Sequence, residues 1–120
     1  MTQSPQLTTI NPATGAPGRS YPGHSPDEAL AIARAARRAF EAWRRTGFAE
    51  RTGPMRAAAA VLRRRAEDFA RLITEEMGKT RTEALAEIEK CAGGCEFFAH
   101  HAEAMLERQP VDIGGPKAFV

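Results

Sequence analysis

The sequence has 120 residues, a formal net charge of +2 and 42% hydrophobic residues, values typical of a soluble domain. The weak charge excludes a strong attractive field for nucleic acid, and no apolar run approaches the roughly 20 residues that a bilayer-spanning helix needs. Residues 1–7 lack the layout of a secretory signal, and two cysteines four residues apart favour free thiols, so a cytoplasmic protein is expected.

The first 24 residues predict a β ribbon. Residues 7–10 (LTTI) are a β-prone run, and residues 11–15 (NPATG) are a dense turn signal. Residues 18–22 can return as a second strand, which completes a hairpin. Two strands alone are marginally stable in water, so this hairpin is expected to dock on something larger.

Residues 25–28 (SPDE) carry three signals for the start of a helix. Serine can cap a helix, proline fits its first position, and Glu28 can complete a capping box with Ser25. Gly47 is expected to end this helix. Between these points, apolar residues recur at helical spacing and predict one apolar face: Leu30, Ala33, Ala36, Phe40 and Trp43.

Two shorter helices are expected next. The second is expected to begin between residues 49 and 54, because Pro54 is tolerated only in or before a first helical turn. The third covers residues 66–77. Gly78 fits the left-handed position that ends helices, and Lys79 complements the carboxyl end of the dipole.

A second capping box at residues 80–83 (TRTE) predicts a fourth and longest helix that ends at about Leu106. Residues 109–120 lose helical character, and the run AFV after GGP predicts the start of a strand. The chain is thus divided into a ribbon over 1–24, a segment of about four helices over 25–108, and a strand start within 109–120.

Both cysteines and two of the three histidines lie on the fourth helix. At about 100° per residue, Cys95 is about 40° from Cys91 around the axis, whereas His100 and His101 point elsewhere. A zinc site would need ligands from distant parts of the chain. The thiols lie in mid-helix among apolar residues, so we interpret them as buried packing residues and not as nucleophiles.

Other candidates are few. Glu75 and Glu76 diverge by about 100° and form no convergent acid–base pair, and His24 is expected to face solvent. Gly93 and Gly94 each cost about 1 kcal/mol relative to alanine inside a helix, which favours a close approach of another backbone there. From the residues alone, no catalytic, cofactor-binding or metal-binding position is assigned.

Five short motifs occur in an order that is found in a known family: NPATG at 11–15, AFEAW at 39–43, ER at 50–51, EMGK at 76–79 and EIEKCA at 87–92. This series resembles the amino-terminal part of the NAD(P)-dependent aldehyde dehydrogenase superfamily. The pair EMGK and EIEKCA is most similar to its succinate-semialdehyde dehydrogenase branch. The resemblance covers residues 10–120 and departs from the family at 53–54, where relatives continue a helix with ordinary helix formers.

The resemblance implies an enzyme that oxidises an aldehyde to its carboxylic acid while NAD or NADP is reduced. It implies a nucleophilic cysteine, a water-activating glutamate and an oxyanion site, all from sequence beyond the matched region. Neither Cys91 nor Cys95 matches that nucleophile. The resemblance also implies a small-molecule aldehyde substrate and a homo-oligomeric parent. The weak net charge and the lack of a long apolar run predict no nucleic-acid or membrane partner.

A complete subunit of this family is much longer. The resemblance therefore implies that these residues, mainly α with a short amino-terminal β hairpin, belong to a larger α/β fold as a fragment, a truncated gene product or a domain prepared alone. Residues 109–120 then lead into a missing cofactor-binding and catalytic region. Alone, the chain is expected to be inactive, to bind no NAD or NADP and to leave apolar stripes uncovered. The alternative is a non-catalytic helical interaction or regulatory module.

Overall fold

The computed structural model describes residues 6–115 and 118–119. Its elements are, in chain order, β1 (Gln6–Ile10), β2 (Pro17–Pro22), α1 (Pro26–Trp43), α2 (Phe48–Arg64), α3 (Ala66–Met77), α4 (Arg81–Met105), β3 (Pro110–Val111) and β4 (Ala118–Phe119). The expected mainly helical chain with an amino-terminal hairpin is confirmed. Among the described residues, no helix has both the length and the apolarity that crossing a bilayer requires.

The amino-terminal hairpin forms because its turn is internally hydrogen-bonded. β1 and β2 are antiparallel, with Leu7 opposite Tyr21. The Asn11 side-chain oxygen accepts the N–H of Ala13 at 2.9 Å, and the Asn11 carbonyl accepts the N–H of Gly15 at 2.8 Å. Gly15 has φ +71°, a left-handed conformation that glycine adopts without strain. The predicted NPATG turn is therefore confirmed.

α1 begins at the predicted capping box. The Ser25 N–H donates to the Glu28 carboxylate at 2.7 Å, and the Glu28 N–H donates to the Ser25 hydroxyl at 3.3 Å. The helix ends at Trp43, so the expectation that Gly47 ends it is wrong. Gly47 instead precedes α2, and its N–H donates to the Glu50 carboxylate at 3.0 Å.

The same contact explains a second error, at Pro54. Because Glu50 caps Gly47, α2 starts at Phe48, and Pro54 falls inside the helix, beyond its first turn. The prediction that the proline lies in or before the first turn is therefore wrong. Proline has no N–H and cannot donate to the carbonyl four residues earlier, so α2 passes through this point with one helical hydrogen bond fewer.

α3 and α4 match their predicted bounds closely. Gly78 has φ +74° and ends α3, and the N–H of Gly78 donates to the Thr74 carbonyl at 3.0 Å. Thr80 and Glu83 form the second capping box, and α4 ends one residue before Leu106. Ala118 and Phe119 lie in β4, paired with β3. Within the predicted range 109–120, residues 116, 117 and 120 lie outside the described residues.

The helices meet through very small side chains. α4 packs on both α2 and α3. The buried residues of the described chain are alanines with a single larger side chain: Ala59, Ala70, Ala84, Ile88 and Ala92. The radius of gyration is 20.8 Å, whereas a compact domain of this length has about 14 Å. The described chain is therefore extended around a thin core.

α1 has no buried residue. α1 is a helix, as the spacing of its apolar residues predicts, but no other element of the described chain buries these side chains. Leu30, Phe40 and Trp43 are 55%, 46% and 49% exposed. The expectation that apolar stripes stay uncovered in this chain is confirmed.

Candidate functional site

The two cysteines take different positions on α4. The side of the helix that packs on its neighbours carries Ala84, Ile88 and Ala92, all buried. Cys95 lies on the same side and is half-buried, whereas Cys91 is exposed. The interpretation of both thiols as buried is therefore wrong for Cys91, which lies at the edge of the packed face.

The position of the thiols along α4 gives no activation by the helix dipole. Cys91 follows Arg81 by ten residues, which is about 15 Å along the helix axis. The electrostatic effect of a helix N-terminus falls off within the first turn. Neither Cys91 nor Cys95, further along, benefits from it.

His100 and His101 form an exposed aromatic cluster with Phe97 and not a ligand set. The rings of Phe97 and His101 have centroids 4.5 Å apart, and those of His100 and His101 are 4.6 Å apart. His24 is exposed, as expected. Within residues 6–115 and 118–119, no three side chains of the ligand-forming types come together in a geometry that could hold a metal ion.

Glu75 and Glu76 border a groove of about 220 Å³ between α3 and the hairpin. Both carboxylates are exposed. Glu75 forms an ion pair with Arg71 at 3.3 Å, one turn earlier on α3. This pairing is a local helix contact of the i,i+4 type and does not bring the two glutamates together.

The NPATG and EMGK motifs contact one another. A Cβ built on Gly78 would lie 2.9 Å from Cγ of Pro12, so the hairpin turn packs directly on the residue that ends α3. Gly78 thus has two reasons to be glycine, its positive φ and the proline ring above it. This contact joins residues far apart in sequence, which is why local pattern reading did not find it.

The AFEAW and ER motifs also contact one another. The Arg51 guanidinium donates to the carbonyls of Trp43 and Arg44, each at 3.2 Å, and to the Thr46 hydroxyl at 3.0 Å. It also lies 5.9 Å from the ring centroid of Trp43. Carbonyls at a helix C-terminus lack helical partners, so Arg51 satisfies the end of α1.

A third contact links EMGK to EIEKCA. Lys79 forms an ion pair with Glu87 of α4, and this hydrogen bond raises the pKa of the lysine above its ordinary value. The expected role of Lys79 at the dipole of α3 is thus replaced by a specific partner on the next helix.

One arginine ties α2 to two glutamates of α4. Arg63 donates to Glu89 at 2.8 Å and to Glu96 at 2.9 Å. Glu89 and Glu96 are seven residues apart and so lie on one face, two turns apart. These bonds hold the pKa of each carboxyl below its usual value and raise the pKa of Arg63.

A mainly apolar groove of about 370 Å³ opens where the end of α1, the start of α2 and the end of α4 meet. Trp43, Phe48, Phe98 and Leu106 line it, together with Arg51. The contacts described above connect one helix or hairpin to the next, and we call them joints. In the described residues, the motifs supply these joints. Sequence reasoning placed the motifs correctly but missed what each one touches.

The sequence of this chain is similar to the sequences of known enzymes. Residues 1–119 match the aldehyde dehydrogenase family. A probable succinate-semialdehyde dehydrogenase [NADP(+)] of Synechocystis is 38% identical over 114 residues, which are 95% of this chain and 25% of that protein. Succinate-semialdehyde dehydrogenase [NADP(+)] 1 of Mycobacterium tuberculosis is 44% identical over 117 residues, 94% of this chain and 25% of that protein.

The fold of this chain is also similar to that of solved enzymes of the same kind. The succinic semialdehyde dehydrogenase of Streptococcus pyogenes, solved in complex with NADP+, matches with a TM-score of 0.85 at 26% identity, over 93% of this chain and 25% of that one. The chain therefore spans about a quarter of the length of the relatives it matches.

Proposed function

The chain belongs to the aldehyde dehydrogenase family, and from this premise we propose that it is the amino-terminal segment of an enzyme that oxidises an aldehyde to the carboxylic acid with NAD(P)+. The observation that carries the proposal is the match of nearly the whole chain to about a quarter of the length of such an enzyme. The joints between motifs support it, because the residues that resemble the family are those that hold the described elements together.

The proposed substrate is succinate semialdehyde, and the proposed cofactor is NADP+. The support is that the relatives from Synechocystis and Mycobacterium tuberculosis both carry this substrate and NADP(+) in their names. The cofactor accepts a hydride from the substrate when it is bound.

No catalytic, cofactor-binding or metal-binding role is proposed for any residue of this chain. Cys91 is exposed and Cys95 half-buried in the middle of α4, far from a helix N-terminus. The family resemblance puts the nucleophile, the water-activating glutamate and the cofactor contacts in later sequence. The proposed role of residues 25–108 is to provide a helical support. The ribbon proposed for residues 1–24 contributes the hairpin of β1 and β2, whose turn packs on the end of α3.

The remaining proposals concern the setting of the whole enzyme. We propose a homo-oligomeric, cytoplasmic enzyme whose partner is a small-molecule aldehyde, with no nucleic-acid or membrane partner. The weak net charge of +2 supports the part on nucleic acid.

A chimera tests the function. Residues 1–119 of this chain replace the matched first quarter of the Mycobacterium tuberculosis relative, and formation of reduced cofactor is followed by absorbance with succinate semialdehyde and NADP+. We expect turnover by the chimera and none by the 120-residue chain alone. A chimera that folds and assembles like the parent relative but shows no turnover contradicts the proposal.

A matched variant tests the assignment of the thiols. The chimera with Cys91→Ala and Cys95→Ala is expected to keep its turnover, because neither thiol is proposed to touch the substrate. Loss of turnover with unchanged folding contradicts this assignment. Turnover by the purified 120-residue chain that disappears on replacing either thiol contradicts it as well.

A further inference from the structure

We propose that the apolar groove where α1, α2 and α4 meet is a binding site for a small carboxylate with an aromatic body. The groove has a volume of about 370 Å³, and sites for small molecules start at roughly 300 Å³. In this proposal the apolar walls contact the aromatic body, and the Arg51 guanidinium binds the carboxylate. The inference goes beyond the proposed function, which assigns no ligand to these residues.

The walls of the groove are large apolar side chains from three helices. Phe98 and Leu106 lie about two turns apart on one side of α4, and Trp43 ends α1. These three side chains border the same concave space, and they are 55%, 71% and 49% exposed. Phe48 and Met55 of α2 complete the walls. An apolar ligand that enters this space removes water from several exposed apolar side chains at once, which favours binding.

Arg51 brings to this groove a charge that no carboxylate of the described residues pairs with. Other arginines of the described chain, such as Arg63 and Arg81, form ion pairs with glutamates, and Arg51 is in none of these pairs. Arg51 is half-buried, yet it donates to two main-chain carbonyls and to the Thr46 hydroxyl, all of which are neutral. A charge partly removed from water without a counter-ion attracts an anion.

The Arg51 guanidinium is also held in place with donors to spare. Its Nε and Nη2 atoms make the hydrogen bonds to Thr46 and to the end of α1. Its central carbon lies 5.9 Å from the ring centroids of both Trp43 and Phe48. Within the described residues Nη1 donates to no protein atom, so its two N–H bonds are free for a carboxylate. A guanidinium that is already oriented loses little side-chain entropy when it binds an anion.

Two other polar side chains border the groove, His100 and Glu103 of α4. Glu103 carries the same charge sign as the proposed ligand. It is exposed, however, so water and salt screen its carboxylate more strongly than they screen the half-buried Arg51. The charges that face the groove therefore favour an anion bound at its Arg51 end.

Titration with phenylpropionate tests the inference, and phenylpropanol is the neutral counterpart of the same shape. Trp43 is the only tryptophan of the sequence and lines the groove, so its fluorescence reports occupancy in the 120-residue chain. Calorimetry gives the affinity for the chain and for the chimera that carries residues 1–119. We expect a dissociation constant of about 1 mM or below for the acid, and binding about tenfold weaker for the alcohol. Equal binding of acid and alcohol, or no binding of the acid, overturns the inference.

Two neighbouring phenylalanines provide a matched pair of variants. Phe98 lines the groove and Phe97 does not, and both are exposed, so Phe98→Glu and Phe97→Glu are expected to leave circular dichroism unchanged. Phe98→Glu is expected to weaken binding of the acid by about tenfold or more, because it removes an aromatic wall and adds a like charge. Phe97→Glu is expected to change the affinity by no more than about twofold. Equal loss in the two variants overturns the inference.

Arg51→Gln separates the carboxylate from the aromatic body. This variant is expected to bind the acid as weakly as the alcohol, and a tenfold preference for the acid that survives the change overturns the inference. Because Arg51 also satisfies the end of α1, a second variant that leaves this joint intact is needed. Glu103→Gln is expected to tighten binding of the acid by about twofold and to leave the alcohol unchanged, since a like charge is removed. Weaker binding of the acid by Glu103→Gln contradicts the role given to charge.

Other occupants of the groove give distinct results. Binding by the isolated chain that is absent from a folded and active chimera identifies a segment of the whole enzyme as the occupant and overturns the inference. A stable dimer of the isolated chain that Phe98→Glu disrupts identifies a second copy and overturns it as well. A folded chimera that binds the acid but shows no turnover contradicts the proposed function and leaves this inference standing.

Discussion

Gly78→Ala probes the joint between the hairpin and α3. Gly78 has φ +74°, and a residue with a side chain pays about 1–2 kcal/mol for this left-handed conformation. The new Cβ would also lie 2.9 Å from Cγ of Pro12, inside the roughly 3.5 Å at which carbon atoms attract. The hairpin turn must then shift. We expect the free energy of unfolding to fall by about 1–3 kcal/mol.

A double-mutant cycle divides this loss between the two causes. Pro12→Ala removes the Cγ atom that the new methyl group meets. In that background Gly78→Ala is expected to cost only the backbone part, so the two changes should couple by about 0.5–1 kcal/mol. Additive effects would show that the contact with Pro12 contributes nothing.

The measurement is urea unfolding of the 120-residue chain, followed by circular dichroism at the helical minimum. Gly93→Ala is the matched control, because it adds the same methyl group at a helical position with open space around it. It is expected to stabilise the chain by about 0.5–1 kcal/mol. A Gly78→Ala chain as stable as the parent would refute the reasoning for the joint.

Four further predictions concern a helix cap, the pH dependence of that cap, an ion pair and the thiols. Ser25→Ala should lower helix stability by about 1 kcal/mol, seen as a lower melting temperature; no change would contradict the observed cap. The hydrogen bond from the Ser25 N–H holds the pKa of Glu28 below its ordinary value, so the stability that Glu28 adds is present above the ordinary carboxyl pKa and is lost as the pH falls through the folded-state pKa. An acid titration of helicity should therefore show a smaller loss for Glu28→Gln than for the parent chain. Arg63→Gln should lower the melting temperature at low salt and much less in about 1 M salt, where exposed pairs are screened; a salt-independent effect would exclude ion pairing. Maleimide should label Cys91 faster than Cys95, checked by mass spectrometry, and the reverse order would contradict the described exposure of the two thiols.

Local chemistry was readable from the sequence. Ser25 with Glu28, Thr80 with Glu83, and Gly78 act within a few residues, so their roles follow from residue type and spacing and are confirmed. Gly47 and Pro54 were placed wrongly because two residues offer a start for α2. Glu50 can cap a helix that begins at Phe48, whereas Pro54 favours a helix that begins close to the proline itself. In the structure the Glu50 carboxylate caps the helix, and α2 begins at Phe48.

The contacts of the candidate site were harder to predict from the sequence, because they depend on which faces of the helices pack on one another. The spacing of Cys91 and Cys95 shows that they share a side of α4, but only the position of α2 and α3 decides which edge of that side is covered. The contacts Pro12–Gly78 and Arg51–Trp43 likewise join separate elements. A family resemblance signalled that these residues matter without saying what they touch.

The alanine core has a consequence for how the isolated 120 residues withstand proteases. Burying alanine removes little apolar area from water, and Ile88 is the sole large side chain among the buried residues of the described chain. Helices held so lightly open often, and proteases cleave what opens. A dilute protease should therefore cut the isolated 120-residue chain within its helices under native conditions. Helical content alone is then a poor guide to how long these residues stay intact.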